Sequence, residues 1–206
     1  MVLKKAFPVG EIDYNYLKSY LSGYKNIRVK INDMLKKKEI IRVKKGLYIP
    51  GEQYRNTPVY KETLSNLIYG PSYISLQYAL SFYNIIPERT ETVTAVTNKR
   101  NKVFDTPVGR FSYRYIHPDL YSQGIDLIKL DEMHSILIAS KEKAVADILY
   151  FSYAFENIEE LKEFLFENMR IEEDEIKKLK ISSIRRLAKI YKGNLLFLRR
   201  YLEEKI

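Results

Sequence analysis

The residue types best suited to chemistry lie between positions 25 and 45. Asn26, Arg28, Lys30 and Asn32 come first, followed by Lys36, Lys37, Lys44 and Lys45. A guanidinium forks onto the O6 and N7 edge of guanine and a carboxamide matches adenine, whereas an ammonium is a point charge suited to phosphate. The set therefore reads as a nucleic-acid contact, with Asn26, Arg28, Lys30 and Asn32 at base edges and Lys36, Lys37, Lys44 and Lys45 on phosphates. The charge distribution agrees. Residues 1–56 carry 13 Lys and Arg against five acids, a net +8, where the whole chain of 206 residues has +9. Residues 57–117 add +3 and residues 118–206 contribute −2. A compositional bias toward lysine would spread evenly, so the asymmetry marks a basic surface in the first 56 residues.

Catalytic signatures are missing. The chain holds no Gly-rich phosphate loop, no G-x-S-x-G and no H-E-x-x-H. It has no cysteine, which removes disulfides, thiolate metal sites and a cysteine nucleophile together. The two histidines, His117 and His134, stand on different expected elements and read as packed or surface residues. Glu172-Glu173-Asp174-Glu175 suits the first turn of a helix, favoured by the helix dipole, with Lys177-Lys178 one turn on, better than a metal site. Lys99-Arg100-Asn101-Lys102 falls between two expected strands, either as a solvated loop or as a second nucleic-acid contact. No enzymatic activity, metal or cofactor is expected. The start of the chain lacks the apolar core of an export signal, and apolar runs such as 136–139 are too short to span a bilayer. A cytoplasmic protein without membrane contact is the expectation.

Positioning the basic set requires particular elements. The N-terminal stretch reads as three short helices and a hairpin. One helix falls near 11–20, from Ile12, Tyr16, Leu17 and Tyr20; the main one follows Asn26 as cap, with Ile27, Ile31, Met34 and Leu35 on one stripe. Strands at 40–43 and 47–49 flank a turn at Lys44-Lys45-Gly46. Helix, helix, hairpin is the order of a winged helix-turn-helix, whose recognition helix enters the major groove while the hairpin lies on flanking phosphates. A polar linker at 51–58 then marks a boundary between 1–56 and 57–206. Helices are expected at 60–69 and 75–83, with Ser72 or Ser75 as cap to the second, and strands at 93–97, 102–104, 111–116 and 135–139. Ser140 caps a helix to about 150, and from 158 to the end the pattern is helical, broken at Gly193. The fold class is α+β: an N-terminal winged helix, a larger mixed domain with an antiparallel-rich sheet, and a helical tail over 158–206.

Several blocks, in order, carry a family resemblance. The segment at 39–49, EIIRVKKGLYI, resembles the recurrent wing of AbiEi-type antitoxins, and the similarity continues through 69–80, 86–88, 93–100, 104–113 and 138–144. One departure is Lys141, where proline would open the helix; residues 151–206 match nothing beyond a helical tail. The resemblance implies an antitoxin of a type IV toxin–antitoxin, or abortive-infection, system of phage defence. Its winged helix would bind inverted repeats in its own promoter as a transcriptional repressor, and its C-terminal domain would oppose a nucleotidyltransferase-like toxin encoded next door. Lys99, Arg100 and Arg110, polar members of the matching blocks, are the implied candidates for the antitoxin role.

Two other readings compete. One is a plain winged-helix transcriptional regulator whose C-terminal domain senses a ligand or dimerises; the other is a DNA-processing enzyme targeted by the winged helix, for which no catalytic constellation is visible.

Overall fold

The structure is a computed structural model and describes Phe7 and residues 10–204; the rest of the 1–8 start read above lies outside the described residues. Two sheets and ten α-helices are seen among them, an α+β arrangement. The first sheet is three-stranded and antiparallel, in the order β1-β3-β2. It joins β1 (Ile12–Asp13), β2 (Ile40–Lys44) and β3 (Leu47–Pro50). Between β1 and β2 run α1 (Tyr14–Tyr20) and α2 (Ile27–Lys36). Two helices, not three, precede the hairpin in the described residues. The expected helix start at 11 is also corrected: Ile12 pairs with Tyr48, and the Asp13 carboxylate accepts from Tyr16 N at 2.7 Å, so the helix begins one residue after its cap.

The hairpin turns at Gly46, whose φ of +85° favours glycine. All four residues of β3 are buried, because two cores meet on it. Ile40 and Tyr48 pack with Phe7, Ile12, Leu17, Leu21, Ile31 and Met34. Val43, Leu47 and Ile49 belong instead to the large core of the second unit.

The second sheet has six strands in the order β6-β7-β5-β4-β9-β8. These are β4 (Ser72–Ile74), β5 (Val93–Thr97), β6 (Lys102–Thr106), β7 (Gly109–Tyr115), β8 (Ile125–Lys129) and β9 (Ser135–Ala139). Three of the five pairings are antiparallel; β4 with β9 and β5 with β7 are parallel. Helices cover both faces, since alternate strand residues point opposite ways. On one, Tyr113 OH donates to Ser65 O of α3 (Lys61–Ile68) at 2.7 Å; on the other, Arg114 lies 4.0 Å over the Phe151 ring of α6 (Lys141–Phe151). Packed with α6 are α4 (Leu76–Phe82) and, beyond α7 (Ile158–Lys162) and α8 (Glu173–Lys177), the pair α9 (Ile181–Tyr191) and α10 (Asn194–Glu203).

Besides β1, the pattern did not foresee the short 3-10 turn at Glu52–Tyr54 in the linker, nor β4, β8 and α5 (Pro118–Tyr121). Ser72 therefore sits in a strand. Ser75 does stand at the N-terminus of α4, but its hydroxyl makes no capping bond and donates instead to Asp147 Oδ2 at 2.7 Å.

That bond belongs to a polar network inside the large core. Lys143 and Asp147, one turn apart on α6, are both fully buried and 3.3 Å apart. Tyr73 OH donates to Asp147 Oδ2 at 3.0 Å, the Tyr191 hydroxyl donates to Asp147 Oδ1, and the Lys143 ammonium donates to Leu120 O and Tyr191. Burial pulls Lys143 below its ordinary value and pushes Asp147 above its own, each opposed by the attraction of the other. The network thus ties β4, α4, α5, α6 and α9 together. Removing one partner leaves an uncompensated buried charge: Lys143→Met or Asp147→Leu alone should cost about 3–5 kcal/mol, and the double variant Lys143→Met/Asp147→Leu much less than their sum. Denaturant midpoints across the four proteins measure this; additive losses would show that the pair does not act as a pair.

Candidate nucleic-acid interface

Helix α2 presents a stripe outward. Arg28, Asn32 and Lys36 recur at four-residue spacing and are exposed, while Ile31 and Met34 are buried beneath. Among the described residues neither Arg28 nor Lys36 has a carboxylate partner. Val29 lies beside the stripe, 61% exposed although apolar.

The other sequence-predicted residues of this unit are placed differently. Asn26 is at the helix start, and its Oδ1 accepts from Val29 N at 3.2 Å, which commits that oxygen to the cap. Asp33 draws in two lysines: Lys37 at 2.9 Å and Lys30 at 3.7 Å, the latter also over the Tyr24 ring. The hydrogen bond from Lys37 holds the Asp33 carboxyl below its ordinary value and raises the lysine in turn. Lys45 is exposed at the hairpin tip. Lys44 turns away from solvent and donates to Ile68 O at the end of α3. Burial, and then the neighbouring Lys99 charge, lower its ordinary value.

The structure therefore brings Lys44 and Lys99 together. Lys99 donates to Gly70 O at 2.5 Å and lies 5.6 Å over the Tyr69 ring. Arg100 is exposed beside it, and Tyr69, Asn98, Asn101 and Tyr115 complete an open cavity of about 700 Å³. Arg110 is not part of this group. It stands near the opposite end of β7 from Tyr115 and pairs with Asp105 at 3.5 Å across the β6–β7 hairpin. The tyrosines of the cavity were missed in the sequence, where nothing relates Tyr69 to Tyr115; the strand pairing does.

The two histidines also part company. His117 is exposed, at the start of α5. His134 is buried where the two units meet: Nδ1 is 2.8 Å from Asp131, Nε2 is 3.3 Å from Glu11, and the Tyr60 ring lies edge-on at 5.1 Å. Gly10 fits tightly here, since a Cβ would sit 2.8 Å from Pro58 O. Burial raises Glu11, with the attraction of His134 opposing. Partial burial pushes Asp131 up too, but hydrogen bonds from the His134 ring, the Met133 and His134 amides and Tyr60 outweigh it and leave Asp131 at about 2. Among the described residues no group of three or more such side chains is arranged to hold a metal ion, and no helix is long and apolar enough to cross a membrane.

No protein-family model matches the chain, and no curated protein matches it.

Two expectations follow from this geometry. If Asn26 acts as a cap, Asn26→Ser should keep both helix stability and duplex affinity, while Asn26→Ala loses about 0.5–2 kcal/mol of stability. Thermal melts and duplex titrations decide it, and a serine variant that melts normally but binds poorly would make Asn26 a base reader. For Asp131, the folded value lies below the ordinary 3.8, so its contribution is present above that value and disappears as the pH falls toward 2. Glu11 acts with the opposite sign, above its ordinary 4.5, so the windows are separate. Urea midpoints of Asp131→Asn should consequently lose the slope between pH 3.8 and 2 and keep the decline above pH 4.5 that Glu11 supplies, and a variant that keeps the acid-side slope would show that Asp131 does not produce it.

Proposed function

We propose that the chain is a DNA-binding repressor whose N-terminal unit is a winged helix with α2 as its recognition helix. The observation that carries this is the outward stripe Arg28–Asn32–Lys36 on α2, anchored beneath by Ile31 and Met34. The major groove admits one α-helix, in which Arg28 would pair with guanine, Asn32 with adenine, and exposed Val29 would meet a thymine methyl. Lys36 and Lys45 are then the phosphate contacts, and Lys44, committed to Ile68 O, is not. The sheet order β1-β3-β2 behind α1 and α2 supports the same reading.

On the sequence resemblance we further propose that this repressor is the antitoxin of a type IV system, acting on its own promoter and against a nucleotidyltransferase-like toxin. Co-expression tests it: the chain should restore growth to cells making the nucleotidyltransferase encoded beside it, and an unrelated neighbouring gene would remove the proposal. A regulator with a ligand-sensing second domain is the other reading. It is favoured by the sharing of the hairpin between the two cores, which gives the second unit a mechanical hold on the first.

Base and backbone contacts should separate by mutation. Arg28→Ala and Asn32→Ala should each cost about 1–3 kcal/mol at the preferred operator and relax discrimination; Lys36→Ala should weaken all duplexes and reduce the salt slope by about 1. Lys44→Ala should leave the slope as it is. Anisotropy titrations over a salt series measure all four, and a slope that falls with Lys44 instead of Lys36 would move the DNA from α2 to the hairpin.

A further inference from the structure

We propose that the open cavity between Tyr69 and Tyr115 binds a nucleoside phosphate, with the base stacked on a tyrosine ring and the phosphate held by Lys99 and Arg100. This names a ligand class for the Lys99–Arg100 site and does not depend on duplex binding by α2.

Three observations converge on it. The first is clustered charge. Among the described residues no carboxylate pairs with Lys44, Lys99 or Arg100, and Lys44 feels the Lys99 charge. Lys44 and Lys99 are held near one another on alternate carbonyls, Ile68 O and Gly70 O, at and just past the end of α3. Two ammonium groups drawn together repel, and an anion between or beside them relieves that repulsion. The burial that lowers Lys44 strengthens the attraction such an anion would feel.

The second observation is the wall. Tyr115 is 44% exposed and makes no ring pair among the described residues, so its ring can take a stacking partner. Tyr69 is fixed from behind by Tyr113 and Phe104, with centroids at 5.3 and 5.8 Å, which holds its ring in place without a ligand. Base–aromatic stacking and nearby cations are the combination by which unpaired nucleotides are held. The third is the rim. Asn98 and Asn101 supply carboxamides able to pair with a base edge, and Asn101 Oδ1 is positioned by accepting from Tyr115 N at 2.6 Å. The cavity is open, so a ligand there would lie stacked on the surface with one side in solvent.

The base could belong to a free nucleotide or to an unpaired residue of a single strand, and the experiment separates the two. The full chain is titrated calorimetrically with ATP, and by anisotropy with a short labelled single-stranded oligonucleotide of mixed sequence. At least one probe should bind. Tyr115→Ala and Arg100→Ala should weaken it by about five- to 150-fold, the range of one lost stack, and Tyr115→Phe should retain it. Both positions are exposed enough for the variants to fold, which circular dichroism verifies. ATP binding alone assigns a free nucleotide; tighter oligonucleotide binding assigns a strand. Excess unlabelled duplex should leave the probe bound. Failure of both probes, unchanged binding by the folded alanine variants, or displacement by duplex would each overturn the proposal, the last by assigning the signal to α2.

Discussion

Strand β3 is buried on both faces, and the rest of the architecture depends on that. In a sheet with one wet face apolar and polar residues alternate, but Leu47, Tyr48, Ile49 and Pro50 are all buried in β3. Tyr48 completes the small core under α1 and α2, while Leu47 and Ile49, with Val43 of β2, enter the core of the six-stranded unit. A 40-residue helical unit has little apolar surface to bury by itself. Sharing the hairpin lets it draw on the larger core, and it makes residues 51–58 a surface connection rather than a hinge between independent bodies.

A second junction reinforces the first. His134 sits between Asp131 of its own unit and Glu11, the residue before β1, and Gly10 packs against Pro58 O at a distance no side chain would allow. Here the contact is polar and partly desolvated, so it adds geometry more than energy. The buried Lys143–Asp147 pair follows the same logic on a larger scale. Desolvation opposes both charges, and the pair persists because Tyr73, Ser75, Tyr191 and Leu120 O satisfy the remaining donors and acceptors. Any shift of α6 against β4 or α9 would break several of these bonds together.

Much of this was legible in the sequence where local signals were strong. The Asn26 and Ser140 caps both make the expected bonds, to Val29 N and Lys143 N, and the apolar stripe of α2 faces its core. Strand β5, the hairpin and the α9–α10 pair around Gly193 also fall where periodicity put them. The losses have physical reasons. Strand β4 is three residues long, enclosed between α3 and α4, and held by β5 and β9, so its strand character comes from tertiary pairing. Strand β8 is an edge with Leu127 turned to solvent, which disguises its pattern. The run Lys143 to Asp147 sets two opposite charges one turn apart among apolar residues, but the same spacing is common on helix surfaces, and only the packing of α6 makes the pair buried. At the candidate site, spacing placed Asn32 and Lys36 off the apolar stripe, but the outward row Arg28, Asn32 and Lys36, apart from the Lys30 and Lys37 held by Asp33, came only from the structure. The inward turn of Lys44 had no local signal, because docking of the hairpin on α3 decides it.

That docking also determines how the two basic sites relate. Exposed charges act on one another weakly beyond roughly 10 Å in physiological salt, so sites joined by a flexible linker would be electrostatically independent. Here α2 rests on the small core, the hairpin closes that core, and the same hairpin carries Lys44 against Ile68 and beside Lys99. The stripe on α2 and the Tyr69–Arg100 cavity are consequently parts of one packed body. Occupancy at the cavity would act on Lys44 through the shared repulsion with Lys99, and Lys44 lies in β2, which pairs with β3 under α2. Any change at the cavity that reached α2 would have to displace a hairpin that both cores constrain, through Val43, Leu47 and Ile49 on one side and Ile40 and Tyr48 on the other.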